Sequence, residues 1–93
     1  MTKAQRREAI CAELVRLIGE ERERQKLSKN KLAFLTGLNQ STVSRLENYP
    51  ENPSLDSLLR IADALEINLG DVLRQAVQIV NDKFTQSGKT GSR

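Results

Sequence analysis

The stretch KNKLAFLTGLNQSTVSRLEN, residues 29 to 48, decides the fold of this chain. It predicts two short helices joined by a turn. Ala33 is small enough to lie where two steeply crossing helices touch, and Gly37 can adopt the positive φ that such a turn needs. Val43 and Leu46 are three residues apart, so they share one face of the second helix and are expected to point inward.

The outward side of the second helix carries only polar side chains. They are Asn39, Gln40, Ser41, Ser44 and Arg45. Amides, hydroxyls and a guanidinium can hydrogen-bond to base edges and phosphates when a helix lies in the major groove of DNA. Because polar residues are also ordinary on any exposed helix, this pattern alone leaves a plain solvent-facing role open.

The composition fits one small helical domain. The chain has 93 residues, 38% of them hydrophobic, and no segment alternates apolar and polar residues as a strand would. Histidine, the commonest general base, is absent, and the single Cys11 excludes an internal disulfide and a cysteine-based zinc site. No apolar run could span a membrane, and residues 1–10 do not resemble a secretory signal. We therefore expect a cytoplasmic protein that is not an enzyme and has no metal and no cofactor.

Charge is distributed unevenly along the chain. Residues 1–48 hold 10 basic and 6 acidic side chains (+4), whereas residues 49–82 hold 2 basic and 6 acidic ones (−4). Three further basic residues follow position 82, which gives the net charge of +3. This distribution favours a basic side that meets phosphates and an acidic side that meets protein or solvent.

Periodicity and capping residues predict five helices, at about residues 8–25, 29–36, 40–48, 55–65 and from 69 to beyond 80. The predicted N-caps are Ser28, Asn39, Ser54 and Asn68. Leu35 and Leu59 are among the side chains expected to face inward. The expected organisation is a flexible segment over residues 1–7, a domain with a C-terminal dimerisation helix over 8–84, and a flexible tail over 85–93.

Residues 14 to 73 resemble the Cro and lambda-repressor-like helix-turn-helix family. The resemblance rests on four segments in this order: LAFLTG (32–37), STVSRLE (41–47), NPSLDSLLRIADAL (52–65) and INLGDVL (67–73). Proteins of this family are dimeric repressors or activators that bind palindromic operators. The resemblance therefore implies an all-α, five-helix lambda-repressor-like domain with extended terminal helices, and a sequence-specific regulator of transcription that binds double-stranded DNA as a homodimer.

The resemblance also assigns roles to particular positions. The expected DNA contacts are Lys29, Asn39, Gln40, Ser41, Thr42, Ser44, Arg45 and Asn52. Arg22 and Glu47 match a pair that the family places between its first helix and its recognition helix, so we expect an ion pair there. The chain departs from the family after Glu47, where Tyr49, Pro50 and Glu51 replace the usual glycine and basic residues.

The fifth helix predicts a contact between two copies. Its apolar stripe extends past the size of a minimal domain, and the expected dimer contacts are Val77, Ile79, Val80 and Phe84. Packing within one subunit is the alternative for these residues.

Two other functions stay open at this point. The first is an antitoxin-type module whose acidic later half or tail binds a protein partner. The second is a restriction–modification controller that uses DNA binding to regulate its own gene.

Overall fold

The structure, a computed structural model, describes residues 1–48 and 53–83 in full and the helical backbone of residues 84–88. These residues form five α-helices and no strand. The helices are α1 (Lys3–Arg24), α2 (Lys29–Thr36), α3 (Gln40–Asn48), α4 (Leu55–Leu65) and α5 (Leu69–Gly88). The predicted all-α, five-helix fold with long terminal helices is confirmed. Within the described ranges, no helix combines the length and apolar character that crossing a membrane requires.

Helix α1 begins five residues before the position that periodicity predicts. The hydroxyl of Thr2 accepts the backbone N–H of Gln5 at 3.0 Å, and the side-chain oxygen of Gln5 accepts the backbone N–H of Thr2 at 2.8 Å. This capping box satisfies two N–H groups that a helix start otherwise leaves unpaired. Most of the segment expected to be flexible, residues 1–7, is therefore helical from Lys3 onward.

Helix α5 also runs further than expected, because residues 85–88 of the predicted tail belong to it. Residues 89–93 lie outside the described part of the chain. At the other helix starts the predicted caps are confirmed. The side chains of Ser28, Asn39, Ser54 and Asn68 each accept the backbone N–H of the residue three positions later.

One hydrophobic core joins the five helices. Its members include Ile18 of α1, Leu32 of α2, Val43 of α3, Ile61 of α4 and Ala76 of α5, each at most 1% exposed. The helix-turn-helix stretch is thus anchored on its inner face by residues of three other helices.

Two leucines expected in the core lie at the surface. Leu35 is 48% exposed and Leu59 is 46% exposed. Each is one position away from the buried face of its helix, where Thr36 and Leu58 point inward instead. One position rotates a side chain by about 100° around a helix, which is enough to move it from the core to solvent.

Helices α1 and α5 run antiparallel and form the most extensive helix pair of the molecule. Leu17 and Arg24, toward the end of α1, share a groove with Asn68 and Val72 near the start of α5. At the opposite end, Nη2 of Arg6 donates to Oδ1 of Asn81 at 2.9 Å. The early part of α1 therefore covers the later part of α5.

This pairing corrects one of the predicted dimer contacts. Val80 is only 3% exposed in the single chain, so it has almost no surface to offer a second copy. The alternative of packing within the subunit holds for this residue. Val77 and Ile79 are half-buried and keep some surface, and the side chain of Phe84 lies outside the described residues.

Candidate nucleic-acid interface

The turn between α2 and α3 is closed by one glycine and one buried hydroxyl. Gly37 ends α2 with φ +76°, a conformation that a side chain would disfavour. The hydroxyl of Thr36 contacts the carbonyl oxygen of Leu32 at 2.8 Å and accepts the backbone N–H of Leu38 at 3.3 Å. Thr36 is not among the residues predicted from the sequence to be important. Its position directly before the glycine of the turn is the signal that could have identified it.

The start of α3 is organised by Asn39. Its Oδ1 accepts the backbone N–H of Thr42 at 3.0 Å, the hydroxyl of Thr42 at 2.6 Å and the hydroxyl of Ser41 at 3.0 Å. Phosphate oxygens need a donor, and the hydroxyl proton of Thr42 is already given to Asn39. The amide nitrogen of Asn39 and the first backbone N–H groups of α3 remain as donors at this helix end.

The outward face of α3 presents two rows of side chains. One row contains Gln40 and Ser44, and the other contains Ser41 and Arg45, each pair four residues apart. Gln40, Ser41 and Arg45 are exposed, whereas Ser44 is half-buried and accepts a hydrogen bond from Asn48 at 3.3 Å. Among the described residues, neither Gln40 nor Arg45 has a hydrogen-bond or ion-pair partner. Their polar groups are therefore available to a ligand that approaches this face.

Lys29 and Asn52 complete the set of predicted contacts. Lys29 is the first residue of α2, directly after the capping Ser28, and its side chain is half-buried. The start of α2 thus combines an ammonium group with the positive end of a helix dipole, which together suit a phosphate. Asn52 lies outside the described residues, as do Tyr49, Pro50 and Glu51.

The predicted pair of Arg22 and Glu47 is present as a two-pronged ion pair. Nε of Arg22 donates to Oε2 of Glu47 at 2.7 Å, and Nη2 donates to Oε1 at 3.1 Å. The third nitrogen, Nη1, donates to the backbone oxygen of Leu27 at 2.7 Å. The hydrogen bond to Glu47 raises the pKa of Arg22 above its usual value, so the guanidinium stays charged. These bonds connect α1 and the loop before α2 to the last turn of α3.

Comparison with known families agrees with this geometry. A helix-turn-helix family model of the lambda-repressor and Cro type matches residues 18–72, more than half of the chain. The chain belongs to the lambda-repressor/Cro-like helix-turn-helix family. Neither a curated protein nor a solved structure gave a match.

Membership of this helix-turn-helix family makes the chain a DNA-binding regulator of transcription. The matched segment begins at Ile18 and ends at Val72, so it contains the whole of α2, α3 and α4. The part of α1 before Ile18 and the part of α5 after Val72 lie outside the family match.

Two further side chains near the helix-turn-helix motif were not singled out from the sequence. Phe34 of α2 is 78% exposed, and Nζ of Lys31 lies 5.6 Å from the centre of its ring, a cation–π contact on the solvent side of the motif. Arg60 of α4 reaches the end of α2, where its Nη1 lies 3.1 Å from the carbonyl oxygen of Thr36. The i, i+3 spacing of Lys31 and Phe34 on one helix is a sequence signal for the first contact. The second has no such signal, because it depends on how α2 and α4 lie in space.

Proposed function

We propose that this chain is a sequence-specific regulator that binds a palindromic operator as a homodimer, with α3 in the major groove. One observation carries the proposal. Gln40 and Arg45 are exposed on α3 with no partner among the described residues, on a helix whose inner face is fixed by Val43 and Leu46. A rigid helix that offers unpaired amide and guanidinium groups meets the requirement for reading base edges.

The polar residues divide into base-reading and phosphate-binding groups. Gln40 binds an adenine through its amide, and Arg45 binds a guanine or a phosphate. Ser41 and Ser44 are short enough to let α3 approach the bases closely. Lys29, together with the first N–H groups of α2 and α3, holds the phosphates that fix the register.

Asn39 and Thr42 have a smaller part in this scheme than the family resemblance implies. Both are engaged in capping α3, so Asn39 contributes through its amide nitrogen and Thr42 chiefly through its place in the cap. Asn52, after α3, stays a prediction from the resemblance alone.

The homodimer follows from an affinity argument. One short helix reads only a few base pairs, which gives weak and unselective binding, whereas two copies on a two-fold axis read two half-sites about 34 Å apart. The apolar stripe of α5 supports the dimer less than its length suggests, since α1 already covers part of it. Val77 and Ile79, both half-buried, are the described residues through which α5 contacts a second copy.

The decisive experiment is selection of bound duplexes from a random pool, followed by titration of variants on the selected site. Gln40→Ala and Arg45→Ala should each weaken that site by about 1–3 kcal/mol and relax the preference at one base position. Gln75→Ala and Arg74→Ala, which alter exposed residues of α5, are the matched controls and should bind as the wild type does. Equal losses on every duplex would refute base reading by the two α3 residues.

Lys29→Ala separates phosphate binding from base reading. It should weaken binding to all duplexes alike and lower the slope of log K against log salt by about 1. An unchanged slope would remove Lys29 from the phosphate contacts.

The dimer is tested by sedimentation and by the symmetry of the selected site. Ile79→Asp should lower the dimer fraction, whereas Gln75→Asp introduces the same charge at an exposed position of the same helix and should not. A protein that stays monomeric at all concentrations and selects single half-sites would contradict the homodimer.

A protein-interaction role is the second candidate. It is favoured by the open groove between α1 and α5, whose apolar residues Leu17 and Val72 are bordered by the carboxylates of Glu20 and Asp71. Binding of a basic partner protein without any selected DNA site would favour this role over the first.

A further inference from the structure

We propose that Arg60 of α4 is a positioning residue for DNA binding. It holds the carboxyl end of α2 and so fixes the turn that aims α3, without touching DNA itself. This inference rests on the proposed function, because sequence-specific DNA binding is the measurement that reports the orientation of α3.

The first observation is a hydrogen bond between two helices that are far apart in sequence. Nη1 of Arg60 donates to the carbonyl oxygen of Thr36 at 3.1 Å. Thr36 is the last residue of α2, and the final carbonyls of a helix have no partner within the helix. A cation at this end also interacts favourably with the negative end of the helix dipole. Arg60 therefore completes the end of α2 from outside.

The second observation is how closely the guanidinium approaches the turn. A Cβ placed on Gly37 would lie 3.3 Å from Nη1 of Arg60, which is tighter than ordinary contact. The glycine thus serves two purposes, since it adopts the positive φ and leaves room for the arginine. The turn and the guanidinium fit against each other, so a change in one displaces the other.

The third observation is that the guanidinium is itself held in place. Nε of Arg60 donates to Oδ2 of Asp56, one turn earlier on α4, at 2.8 Å. The Arg60 side chain is 49% exposed and that of Asp56 is 75% exposed, so this pair contributes little to the free energy of unfolding. Its effect is to orient the guanidinium toward Thr36.

The helix-turn-helix motif is therefore attached to other helices at both ends of α3. The Arg22–Glu47 pair fixes the last turn of α3 to α1. Arg60 fixes the turn that leads into α3 to α4. Without the second attachment, the turn before α3 loses a restraint that the apolar core does not supply, and Gln40, the first residue of α3, lies closest to that turn.

The test compares Arg60→Ala, Arg60→Lys and Asp56→Ala with the wild type. Arg60→Ala should weaken the selected site about tenfold and leave binding to random duplex nearly unchanged, because non-specific binding does not require an aimed α3. Its salt slope should equal that of the wild type. Arg60→Lys should recover much of the loss, since an ammonium can still donate to Thr36, and Asp56→Ala should show a smaller loss of the same kind.

Arg74→Ala is the matched control. This variant breaks an exposed ion pair between Arg74 and Asp71 on α5. The pair is of the same type as that of Arg60 with Asp56, but it lies far along the chain from the turn. If Arg74→Ala lost as much affinity for the selected site as Arg60→Ala does, the loss would be a general effect of removing a positive charge, and the proposal would be overturned.

Two other results would also overturn it. If Arg60→Ala binds the selected site as tightly as the wild type, Arg60 does not position α3. If it weakens all duplexes equally and lowers the salt slope by about 1, Arg60 is a phosphate contact instead.

Amide exchange gives a readout that does not depend on DNA. The backbone N–H of Leu38, which bonds to the Thr36 hydroxyl, should exchange faster in Arg60→Ala than in Arg74→Ala, while the N–H groups in the middle of α1 stay unchanged. Unchanged exchange at Leu38 would contradict the attachment even if the wild type bound no DNA sequence. Failure of the wild type to select any duplex would instead refute the proposed function.

Discussion

The helix-turn-helix motif and the α1–α5 pair of the same chain are held together in different ways. Around the motif, directional attachments are added to the shared apolar core: the paired charges of Arg22 and Glu47, and the buried hydroxyl of Thr36. Between α1 and α5 the buried contacts are mainly apolar, with Ala76 and Val80 at most 3% exposed, and the polar contacts involve exposed cations: Arg6 with Asn81, and Lys83 with the buried Glu13.

The difference indicates what each region must do. Apolar burial depends on area and is nearly indifferent to direction, so it suits a pair of helices that only have to stay together. A recognition helix must hold its side chains in register with base edges, and hydrogen bonds with fixed geometry supply that restraint. Single substitutions in each region can show whether stability and orientation are separated in this way.

The largest effect is expected from breaking the buried ion pair at the motif. Glu47→Ala leaves the guanidinium of Arg22, which is 7% exposed, with only the exposed Glu23 at 3.5 Å and the Leu27 carbonyl, and should cost about 3 kcal/mol in free energy of unfolding. Glu20→Ala, which breaks an exposed ion pair with Arg16 on α1, is the control and should cost less than about 1 kcal/mol. Urea unfolding measures both.

The double variant Arg22→Met/Glu47→Leu sharpens the same comparison. Replacing both charges by apolar side chains should recover most of the stability, because no charge remains buried alone. Affinity for the selected DNA site should stay reduced if the pair orients α3. Full recovery of affinity would show that apolar packing orients the helix equally well.

The next largest effect concerns the α1–α5 pair. Val80→Ala should lower the free energy of unfolding by about 2 kcal/mol, since it removes buried methyl groups. DNA affinity of the folded protein should not change. Unchanged stability together with a lower dimer fraction would instead return Val80 to the dimer contact that the sequence predicts.

A smaller effect is expected at the start of α1. Thr2→Ala removes the capping hydroxyl and should cost up to about 1 kcal/mol, whereas Thr2→Ser keeps the hydroxyl and should cost little. Thermal unfolding and amide exchange at Gln5 measure the change. No difference between the two variants would mean that the cap does not contribute to stability.

The smallest effect is a gain. Gly19 lies inside α1, where glycine is unfavourable, and a Cβ there would lie 3.7 Å from Cδ of Glu47, an ordinary contact distance. Gly19→Ala should therefore stabilise the protein by about 0.5–1 kcal/mol and leave DNA affinity unchanged. A loss of affinity would show that Glu47 needs the open space beside Gly19.

The sequence predicts those features of the fold that depend on neighbouring residues. Helix type, the caps at Ser28 and Ser54 and the turn at Gly37 all follow from local patterns, and the structure contains them. The Arg22–Glu47 pair was expected only through the resemblance, because no local pattern links positions 25 residues apart.

The missed features depend on contacts between helices. Nothing in the sequence shows that α1 covers the apolar stripe of α5. The sequence therefore predicts a second copy against that stripe, whereas in the structure α1 already buries part of it. The contact of Arg60 with Thr36 is invisible for the same reason. Leu59 was misplaced because periodicity fixes the centre of a buried face better than its edge.

The antiparallel course of α1 and α5 has a practical consequence for labelling. Lys3 and the last turn of α5 lie toward the same end of the molecule, while Arg22 meets α3 near the other end. Nineteen residues of helix separate Lys3 from Arg22, a length of about 28 Å. A fluorophore or fusion partner attached to the beginning of α1 therefore sits well away from α3, and anisotropy or pull-down experiments with such a label leave the exposed polar face of α3 unobstructed.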